Sequence, residues 1–548
     1  MDDRSDNERV YEGDEKGRRK GSLGPDSGEV RYNEFMKILF LSAEVGPFVS
    51  VGGLSQVCYF LPRALAKQGN EVAIFTPKFG AMDPPTSKDS GGASKTRSIW
   101  KLKEEYMGLA VEEKIICNVK SYQKNSTSVK TYFLENREYY ELRANVFGYK
   151  DDHVRFMLLC KGCLEWLLVQ KEAGGWLPDM IHLNDWHTAY FAELARQDNR
   201  YSEVLKKITI GLTVHNFTFQ GNFDFKYCLP ADKDYGLKPL EPLFSDKLVK
   251  QNALLRGIRY ADAVTTVSPT HALEVITPEY GEGLEDTLLK ERAKISGILN
   301  GLDTIEFDPA HDPLVPTHFD QKNYQTARAK NKRILQIEFG LPTIPNAFLM
   351  AYSGRLTSQK GLTILLEAMK HILKEHPDFQ LIVLGGGDDA YRKILTDLLK
   401  SHPKQMGLHL LPNFKLPRKI FAGTDVLLIP SLYEPGGIVA LESLRYGAVP
   451  IVRRTGGLND IVEEFDQATL KGNGFSFTSR DAWALYGAIM VASTLYKNPK
   501  IWKALVGNCL EGDFSWDEVA KLYAKWYLRT IATRKRMLAT NNFVRMEQ

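Results

Sequence analysis

Cysteine is scarce in this chain of 548 residues, with only six spread over its length. Their positions show none of the paired spacing of a disulfide framework. Cys160 and Cys163 form a C-x-x-C pair, but this pair lies within the apolar helical pattern V-R-F-M-L-L-C-K-G-C-L-E-W-L-L-V and has no second pair of ligands. The pattern therefore favours a core helix over a metal or redox site, and the low cysteine content predicts a cytoplasmic protein.

Long hydrophobic runs and an excess of one charge are also missing. No apolar run approaches the length of a membrane span. Lys and Arg number 71 against 67 Asp and Glu, and the resulting net charge of +4 is spread along the chain. No arginine-rich stripe with interleaved aromatic residues occurs, so the sequence does not indicate a nucleic-acid partner. The composition is that of a globular protein.

Several common site motifs are absent as well. The chain has no G-x-x-x-x-G-K-[ST] phosphate loop, no G-x-G-x-x-G dinucleotide motif and no evident Ser/His/Asp arrangement for nucleophilic catalysis. It also lacks a convincing metal cluster, since Asp388 and Asp389 are an isolated acidic pair after three glycines. The motifs therefore predict no bound metal.

What is present is an alternation of strands and helices, which predicts parallel sheets of the doubly wound α/β class. K-I-L-F-L-S-A-E-V, a glycine-rich loop, a helix and E-V-A-I-F-T-P open a Rossmann-like unit. A capping box formed by Ser515 and Glu518 starts the last clear helix. We expect a disordered or regulatory tail over residues 1–35, domains over 36–300 and 301–512, a helix over 513–534 and a tail over 535–548.

The stretch from Ile429 to Asp460 organises the second domain. It reads as strand, loop, helix, strand and loop, so that Glu434 and Thr455 both follow strands. Ligands of open α/β sheets bind beyond the carboxyl ends of the strands. A carboxylate can accept hydrogen bonds from sugar hydroxyls, and the N–H groups of the turn Thr455-Gly456-Gly457 beside it can bind a phosphate. This combination suits a sugar diphosphate. From these residues alone, plain turn chemistry explains the stretch equally well.

Polar groups follow several other predicted strands. Arg355 and Lys360 in S-G-R-L-T-S-Q-K-G place two cations where a leaving diphosphate would gather charge, although two solvated charges at a helix start are the alternative. His187 follows Asp185 and Trp186 and suits either a sugar contact or a structural role. We expect a cleft between two sheets that is lined by Gly52-Gly53, Asp185-Trp186-His187, His215-Asn216, Arg355 with Lys360, and Glu434 with Thr455.

Many stretches taken together resemble one family. In chain order they are K-I-L-F-L-S-A-E-V-G-P-F-V-S-V-G-G-L, H-L-N-D-W-H, L-T-V-H-N-F-T-F-Q-G-N-F, A-D-A-V-T-T-V-S-P-T, K-I-S-G-I-L-N-G-L-D, S-G-R-L-T-S-Q-K-G, E-P-G-G and D-F-S-W. This series resembles the bacterial glycogen synthases and plant starch synthases from about Met36 to Thr530. The resemblance implies the GT-B fold, in which two Rossmann-like domains face a central cleft and a last helix crosses back to the first domain.

The resemblance also implies an activity. The expected enzyme is a retaining hexosyltransferase that moves glucose from ADP-glucose or UDP-glucose to the non-reducing end of an α-1,4-glucan or maltooligosaccharide. No metal or other cofactor is implied, and the leaving phosphate takes the acceptor's proton on the same face of the sugar. The implied catalytic residues are His187 at the sugar, Arg355 and Lys360 at the diphosphate, and Glu434 at the sugar hydroxyls. The implied donor-binding residues are Gly52, Gly53, Asp151, Asn300, Thr455, Gly456 and Gly457.

Some positions depart from the family pattern. Ser50 stands where the family's first loop carries Lys, and E-P-G-G replaces E-P-C-G. The segment from Leu411 to Arg418 lacks the usual Tyr-Asp pattern near the base. The donor base and the acceptor therefore stay open. The alternatives are a related retaining glycosyltransferase with another acceptor, such as a cell-surface glycan, and a glucan-binding pseudoenzyme, which only Ser50 supports.

Overall fold

The computed structural model describes residues 35–82, 100–125, 128–221, 226–413 and 415–546. Residues Met36–Gln548 form one compact unit that contains two sheets. The tail expected over residues 1–35 lies outside the described residues, apart from Phe35.

The first domain is built on a nine-stranded sheet. Its interior strands are apolar on both faces because helices cover both sides of a parallel sheet. The strands are β1 (Lys37–Leu41), β2 (Glu71–Pro77), β3 (Lys103–Glu112), β4 (Ile115–Tyr122), β5 (Lys130–Glu135), β6 (Met180–Asn184), β7 (Thr209–Val214), β8 (Ala263–Thr266) and β9 (Ile295–Gly297). Their order is β3-β4-β5-β2-β1-β6-β7-β8-β9, and only the pairs β3–β4 and β4–β5 are antiparallel.

Helices connect these strands and cover the sheet. They are α1 (Gly53–Lys67), α2 (Asp152–Glu172), α3 (Trp186–Gln197), α4 (Asn199–Leu205), α5 (Ala253–Tyr260), α6 (Pro269–Glu274) and α7 (Glu285–Lys290). Cys160 and Cys163 are free, fully buried thiols of α2, and burial raises the pKa of each. The interpretation of their segment as a core helix is confirmed.

The second domain is built on a six-stranded sheet in which all strands are parallel, in the order β12-β11-β10-β13-β14-β15. The strands are β10 (Phe348–Ser353), β11 (Phe379–Leu384), β12 (Met406–His409), β13 (Val426–Ile429), β14 (Val449–Arg453) and β15 (Phe475–Phe477). The helices are α8 (Tyr324–Glu338), α9 (Leu362–Glu375), α10 (Asp389–Ser401), α11 (Leu416–Gly423), α12 (Ile438–Arg445), α13 (Gly456–Ile461), α14 (Ala482–Tyr496) and α15 (Pro499–Glu511). The predicted doubly wound α/β class is confirmed.

The last helix, α16 (Trp516–Met546), packs against the first domain. Tyr527 donates or accepts a hydrogen bond of 2.6 Å with Nδ1 of the buried His182 on β6. A side chain at Gly211 would collide with Trp526, since a Cβ there would lie 2.6 Å from its ring. The helix continues past residue 534, where a tail was expected, because no glycine or proline interrupts it before Met546.

The chain passes from one domain to the other at two adjacent segments. Leu302 donates its N–H to the carbonyl of Phe514 at 2.8 Å, and a Cβ at Gly301 would lie 2.7 Å from the Trp516 ring. The boundary expected near residue 301 falls in this crossing. None of the helices in the described ranges combines the length and apolar character that crossing a bilayer requires.

Candidate active site

Lys360 and Glu434 meet where two neighbouring strands of the second sheet end. Lys360 lies in a short 3-10 turn after β10, and Glu434 lies in the loop after β13. Gly361 has a φ of 72°, and a Cβ there would lie 1.9 Å from the carbonyl oxygen of Pro430. This close approach brings Nζ of Lys360 to 2.5 Å from Oε2 of Glu434, which also accepts a hydrogen bond of 3.1 Å from Ser431.

Arg355 supplies a second cation in the same loop after β10. Its side chain is exposed, and within the described ranges its guanidinium takes part in no ion pair. Its carbonyl oxygen accepts a 2.8 Å hydrogen bond from the Tyr352 hydroxyl. Burial raises the pKa of Tyr352, while the charge of Glu434 acts in the same direction and that of Arg355 opposes it. The Tyr352 hydroxyl thus fixes the backbone of Arg355 just after the end of β10.

The E-P-G-G loop is close to first-domain residues. A Cβ at Gly436 would lie 3.1 Å from Nδ2 of Asn300, and one at Gly53 would lie 3.7 Å from Cδ1 of Ile438, the first residue of α12. Asn300 is 4% exposed, and its Oδ1 has no hydrogen-bond partner among the described residues. The structure thus brings Gly53 and Asn300 to the loop that carries Glu434, and leaves one buried acceptor free at this place.

The glycine loop before α1 is held by an acid that the sequence reasoning did not single out. Glu44 is buried, and its Oε2 accepts hydrogen bonds from the N–H groups of Val51 at 2.6 Å and Gly52 at 3.2 Å. Burial raises its pKa to about 7; the two N–H bonds oppose the shift and the charge of Asp185 adds to it. The signal in the sequence that could have identified Glu44 is an acid that directly follows an apolar strand and precedes a glycine loop.

Ser50 stands at the position where the family carries Lys. Its hydroxyl lies 2.7 Å from that of Ser55, which donates a 2.7 Å hydrogen bond to the carbonyl oxygen of Gly52. These two contacts link Ser50 to the start of α1. Serine therefore contributes to the internal bonding of the loop, and it adds no positive charge there.

His187 lies at the end of β6 as the second residue of α3. Its ring packs against Phe147, Phe156 and Trp186, with centroid distances of 4.7, 4.7 and 4.3 Å. Burial lowers its pKa to about 3, with the charges of Arg155 and His215 adding to the shift. Its Nδ1 is buried and has no partner within the described ranges. His187 is therefore neutral, with hydrogen-bonding capacity to spare.

Asp185 precedes α3 in an unusual backbone conformation, with φ 58° and ψ −177°. Its carboxylate accepts a 2.7 Å hydrogen bond from the N–H of His215 at the end of β7, which stabilises this strained residue. Burial raises the pKa of Asp185 to about 7, against the N–H bonds of His215 and Asn216. The expected cluster at the tips of β6 and β7 is present.

Asp151 directly precedes α2. Its carboxylate pairs with Arg143 at 2.6 Å, and the structure shows no bond from it to another predicted site residue in the described ranges. The loop before it contributes Phe147 to the packing around His187. A donor contact of Asp151 stays a prediction.

The turn Thr455-Gly456-Gly457 differs from the arrangement expected for a phosphate site. The hydroxyl of Thr455 and the N–H of Gly456 bond to Glu274 of α6, at distances of 3.0 to 3.1 Å. The N–H of Gly457 donates to the carbonyl oxygens of Glu434 at 3.0 Å and Pro435 at 2.9 Å. A phosphate would have to displace Glu274, so phosphate binding here stays a prediction that these contacts disfavour.

A cavity of about 800 Å³ lies far from these groups. Its lining includes Lys332, Asp425, Tyr496 and Trp502, at the edge of the second sheet where the strands begin. Its position opposite the strand ends excludes it as the site around Glu434. Among the described residues, no group of three or more His, Cys, Asp and Glu is placed to hold a metal ion.

Two doubly wound domains whose loops meet around Lys360, Glu434 and Asn300 define the class of GT-B glycosyltransferases. A family model for the starch synthase catalytic domain matches residues 37–290, and one for glycosyl transferases group 1 matches residues 336–505. The chain is 35% identical over 496 residues to a glycogen synthase of Clostridium novyi (strain NT), covering 90% of this chain and 98% of that protein. It belongs to the glycogen/starch synthase family and is a glucosyltransferase of that type.

Other relatives agree with this assignment. A glycogen synthase of Streptococcus uberis (strain ATCC BAA-854 / 0140J) is 34% identical over 504 residues, with 90% of this chain and 99% of that protein covered. The catalytic domain of starch synthase IV from Arabidopsis thaliana, solved bound to ADP and acarbose, has a TM-score of 0.73 and 29% identity, with 91% of this chain and all of that chain covered. A sucrose-phosphate synthase from Thermosynechococcus elongatus, with a TM-score of 0.52 and 19% identity, shares the fold.

Proposed function

We propose that this enzyme transfers glucose from ADP-glucose to the non-reducing end of an α-1,4-glucan with retention of configuration. The choice of ADP is supported by the related starch synthase IV, whose solved structure contains ADP, and the choice of a glucan by the acarbose in that same structure. The bond from the anomeric carbon to the diphosphate oxygen breaks, and a bond to the acceptor hydroxyl oxygen forms on the same face. The departing phosphate takes the acceptor's proton.

The 2.5 Å contact between Lys360 and Glu434 carries this proposal. Lys360 and Arg355 are two cations at the end of β10, where the leaving diphosphate gathers negative charge as the anomeric bond breaks. Lys360, held in place by Glu434 before the reaction, stabilises such a transition state without reorganising. The carboxylate of Glu434, oriented by Lys360 and Ser431, accepts hydrogen bonds from the sugar hydroxyls next to the diphosphate.

The diphosphate is assigned to the start of α12. This helix begins at Ile438, and Gly437 before it gives no side-chain cap to its first N–H groups. Uncapped N–H groups at a helix start attract anions. Gly53 lies against Ile438 from the first domain, so that the Gly52-Gly53 loop covers the same place.

The glucose is assigned to the space between the two domains. His187 is neutral, so it acts through hydrogen bonds and not as a proton donor to the leaving group. Asn300 has a buried oxygen without a partner among the described residues, beside the loop that carries Glu434. These two groups suit sugar hydroxyls, because an unpartnered buried acceptor or donor gains most from a ligand hydroxyl.

A donor assay tests the proposal directly. The purified protein is incubated with maltooligosaccharide and either ADP-glucose or UDP-glucose, and released nucleotide and chain length are measured. Longer chains with ADP-glucose alone, or at a much higher rate, are the expected result. Elongation with UDP-glucose only would overturn the choice of base, and nucleotide release without longer chains would point to another acceptor or to hydrolysis.

A further inference from the structure

Glu274 links the two domains at the turn that follows β14. It lies at the end of α6 in the first domain and is 15% exposed. Its Oε1 accepts hydrogen bonds from the Thr455 hydroxyl and the Gly456 N–H, both at 3.0 Å, and its Oε2 lies 3.1 Å from the same N–H. A turn rich in N–H groups attracts an anion, and here the anion is a side chain of the other domain.

This turn supports the backbone of Glu434. Gly456 has a φ of 44°, and a Cβ there would lie 2.2 Å from the carbonyl oxygen of Glu434. The next N–H, that of Gly457, donates to the same oxygen at 3.0 Å. The contacts therefore run without interruption from the Glu274 carboxylate, through Gly456 and Gly457, to the residue that bonds Lys360.

A second contact from α6 reaches the other side of Glu434. Nε2 of His271 lies 3.3 Å from the hydroxyl of Tyr433, and the two rings are 5.3 Å apart. Thr270 adds a bond from its hydroxyl to Asp460 at 2.6 Å, at the end of α13. One short helix of the first domain thus contacts Tyr433, which precedes Glu434, and the start of α13, where the N–H of Gly457 donates to the Glu434 carbonyl oxygen.

We propose that Glu274 is a positioning residue for the donor site. By accepting hydrogen bonds from the Thr455 hydroxyl and the Gly456 N–H, its carboxylate holds the loop of Glu434 in register with Lys360 and makes that register depend on the arrangement of the two domains. The inference rests on the proposed function, because it concerns the same site. On this proposal, the anion that the Thr455-Gly456-Gly457 turn binds is the Glu274 carboxylate and not a phosphate of the donor.

Substitutions at Glu274 provide the test. Glu274→Ala removes all three contacts with the turn, and we expect kcat/KM for ADP-glucose to fall about 10- to 100-fold, as for a hydrogen bond to a charged group. Glu274→Gln should lose less, because one amide oxygen can accept both bonds that Oε1 accepts. The dissociation constant for ADP, measured by calorimetry, should rise in the same order.

Glu279→Gln is the matched control. Glu279 is also a first-domain carboxylate that bonds across to the second domain, but its partner is the side chain of Arg480 and not the turn. We expect its kinetics to stay within about twofold of wild type. If Glu274→Ala and Glu279→Gln lose activity equally, Glu274 merely holds the domains together and the proposal fails.

Thr455→Val distinguishes Glu274 from a donor phosphate as the partner of the turn. If the Thr455 hydroxyl acts through Glu274, the valine variant loses activity in the wild-type background and loses little more when Glu274 is already alanine. Equal losses in both backgrounds would mean that Thr455 binds the donor independently, and this would overturn the proposal. Thermal unfolding of each variant separates these effects from loss of fold.

Failure of the proposed function would look different. A wild-type enzyme that elongates glucan, together with an inactive Glu434→Ala variant, supports that function whatever Glu274 does. If Glu274→Ala then kept the kcat/KM and the ADP dissociation constant of the wild-type enzyme, this inference alone would be overturned. A wild-type protein that uses neither ADP-glucose nor UDP-glucose would contradict the proposed function, and ADP binding by the Glu274 variants would still decide the inference.

Discussion

Lys360 and Glu434 are 74 positions apart in the chain, yet Nζ of one lies 2.5 Å from Oε2 of the other. The two side chains are 20% and 12% exposed, so water screens the contact only partly. Neighbouring parallel strands, β10 and β13, end at the same edge and deliver both residues there. This pair is the most specific feature of the candidate site, and the first prediction concerns it.

Removal of either member of this pair should abolish most of the transfer activity. We expect Lys360→Ala and Glu434→Ala each to lower kcat about 100- to 1000-fold, the size of effect seen when one fixed electrostatic group is removed. Lys370→Ala is the control, because Lys370 pairs with Glu367 on the exposed surface of α9. Steady-state assays with maltooligosaccharide give the answer, and full activity in either site variant would contradict the assignment.

Gly361→Ala should disable the enzyme without a direct change to a charged group. A Cβ at this position would lie 1.9 Å from the Pro430 carbonyl and would push the Lys360 turn away from Glu434. Gly340→Ala is matched, because Gly340 has a similar φ of 69° but open space around its Cβ position. Both variants should lose about 1 kcal/mol of stability from the backbone alone, because an L-residue is strained in the left-handed region. Only Gly361→Ala should lose kcat at least 10-fold; equal activity of the two would argue against this coupling.

The stability of the fold should depend on pH through Glu44. Its pKa is 4.5 in the unfolded chain and about 7 in the folded protein, because burial disfavours the charged carboxylate. Stability from the protonated carboxyl is fully present below pH 4.5 and is lost as the pH rises through about 7. Glu44→Gln should therefore reduce the fall in unfolding free energy between pH 5 and pH 8, as measured in urea. The exposed Glu367→Gln should leave it unchanged.

His187 should contribute through hydrogen bonding and not through titration. Its pKa of about 3 keeps the ring neutral over the whole working range of pH. We expect His187→Asn to lower kcat about 10-fold or more while the pH profile between 5 and 8 keeps its shape. Disappearance of an inflection near pH 6.5 in the variant would show that the wild-type ring titrates during catalysis.

Transfer should proceed without a divalent metal ion, since Arg355 and Lys360 supply the positive charge for the departing diphosphate. We expect kcat with ADP-glucose to be unchanged in excess EDTA. As a control on the assay, adding Mg²⁺ to the EDTA-treated enzyme should leave kcat unchanged. A loss of activity in EDTA that Mg²⁺ reverses would show that the two cations are insufficient.

The last helix, α16, shows which of its ends could be predicted from local sequence signals. The capping box predicted the start correctly, and the N–H of Glu518 donates to the Ser515 hydroxyl at 3.4 Å. The reciprocal half of the box is not formed, because Glu518 pairs with Lys521 and the N–H of Ser515 donates to Asp513. The end of the helix was placed too early, since the expected tail has the residues of a helix and no stop signal.

Sequence motifs also marked most of the groups near the cleft, because each follows a buried strand and its chemistry is visible in its residue type. The motifs did not reveal Glu44 or Glu274, because Glu44 looks like an ordinary residue after a strand and Glu274 like an ordinary residue of a helix. Backbone N–H groups, which every residue but proline carries, are the partners of Glu44 and one of the partners of Glu274, beside the Thr455 hydroxyl. A side chain bonded to backbone therefore leaves no complementary side chain in the sequence to identify it.

The sequence by itself determined the family, the two α/β domains and the candidate residues Lys360, Glu434 and His187. These follow from apolar strands, glycine loops and charged strand ends, which are local patterns read in chain order. Only the tertiary structure decided which groups meet: that Lys360 bonds Glu434, that His187 is neutral, and that the Thr455-Gly456 turn binds Glu274. Burial and contacts between distant segments set these properties, and both arise only when the domains pack together.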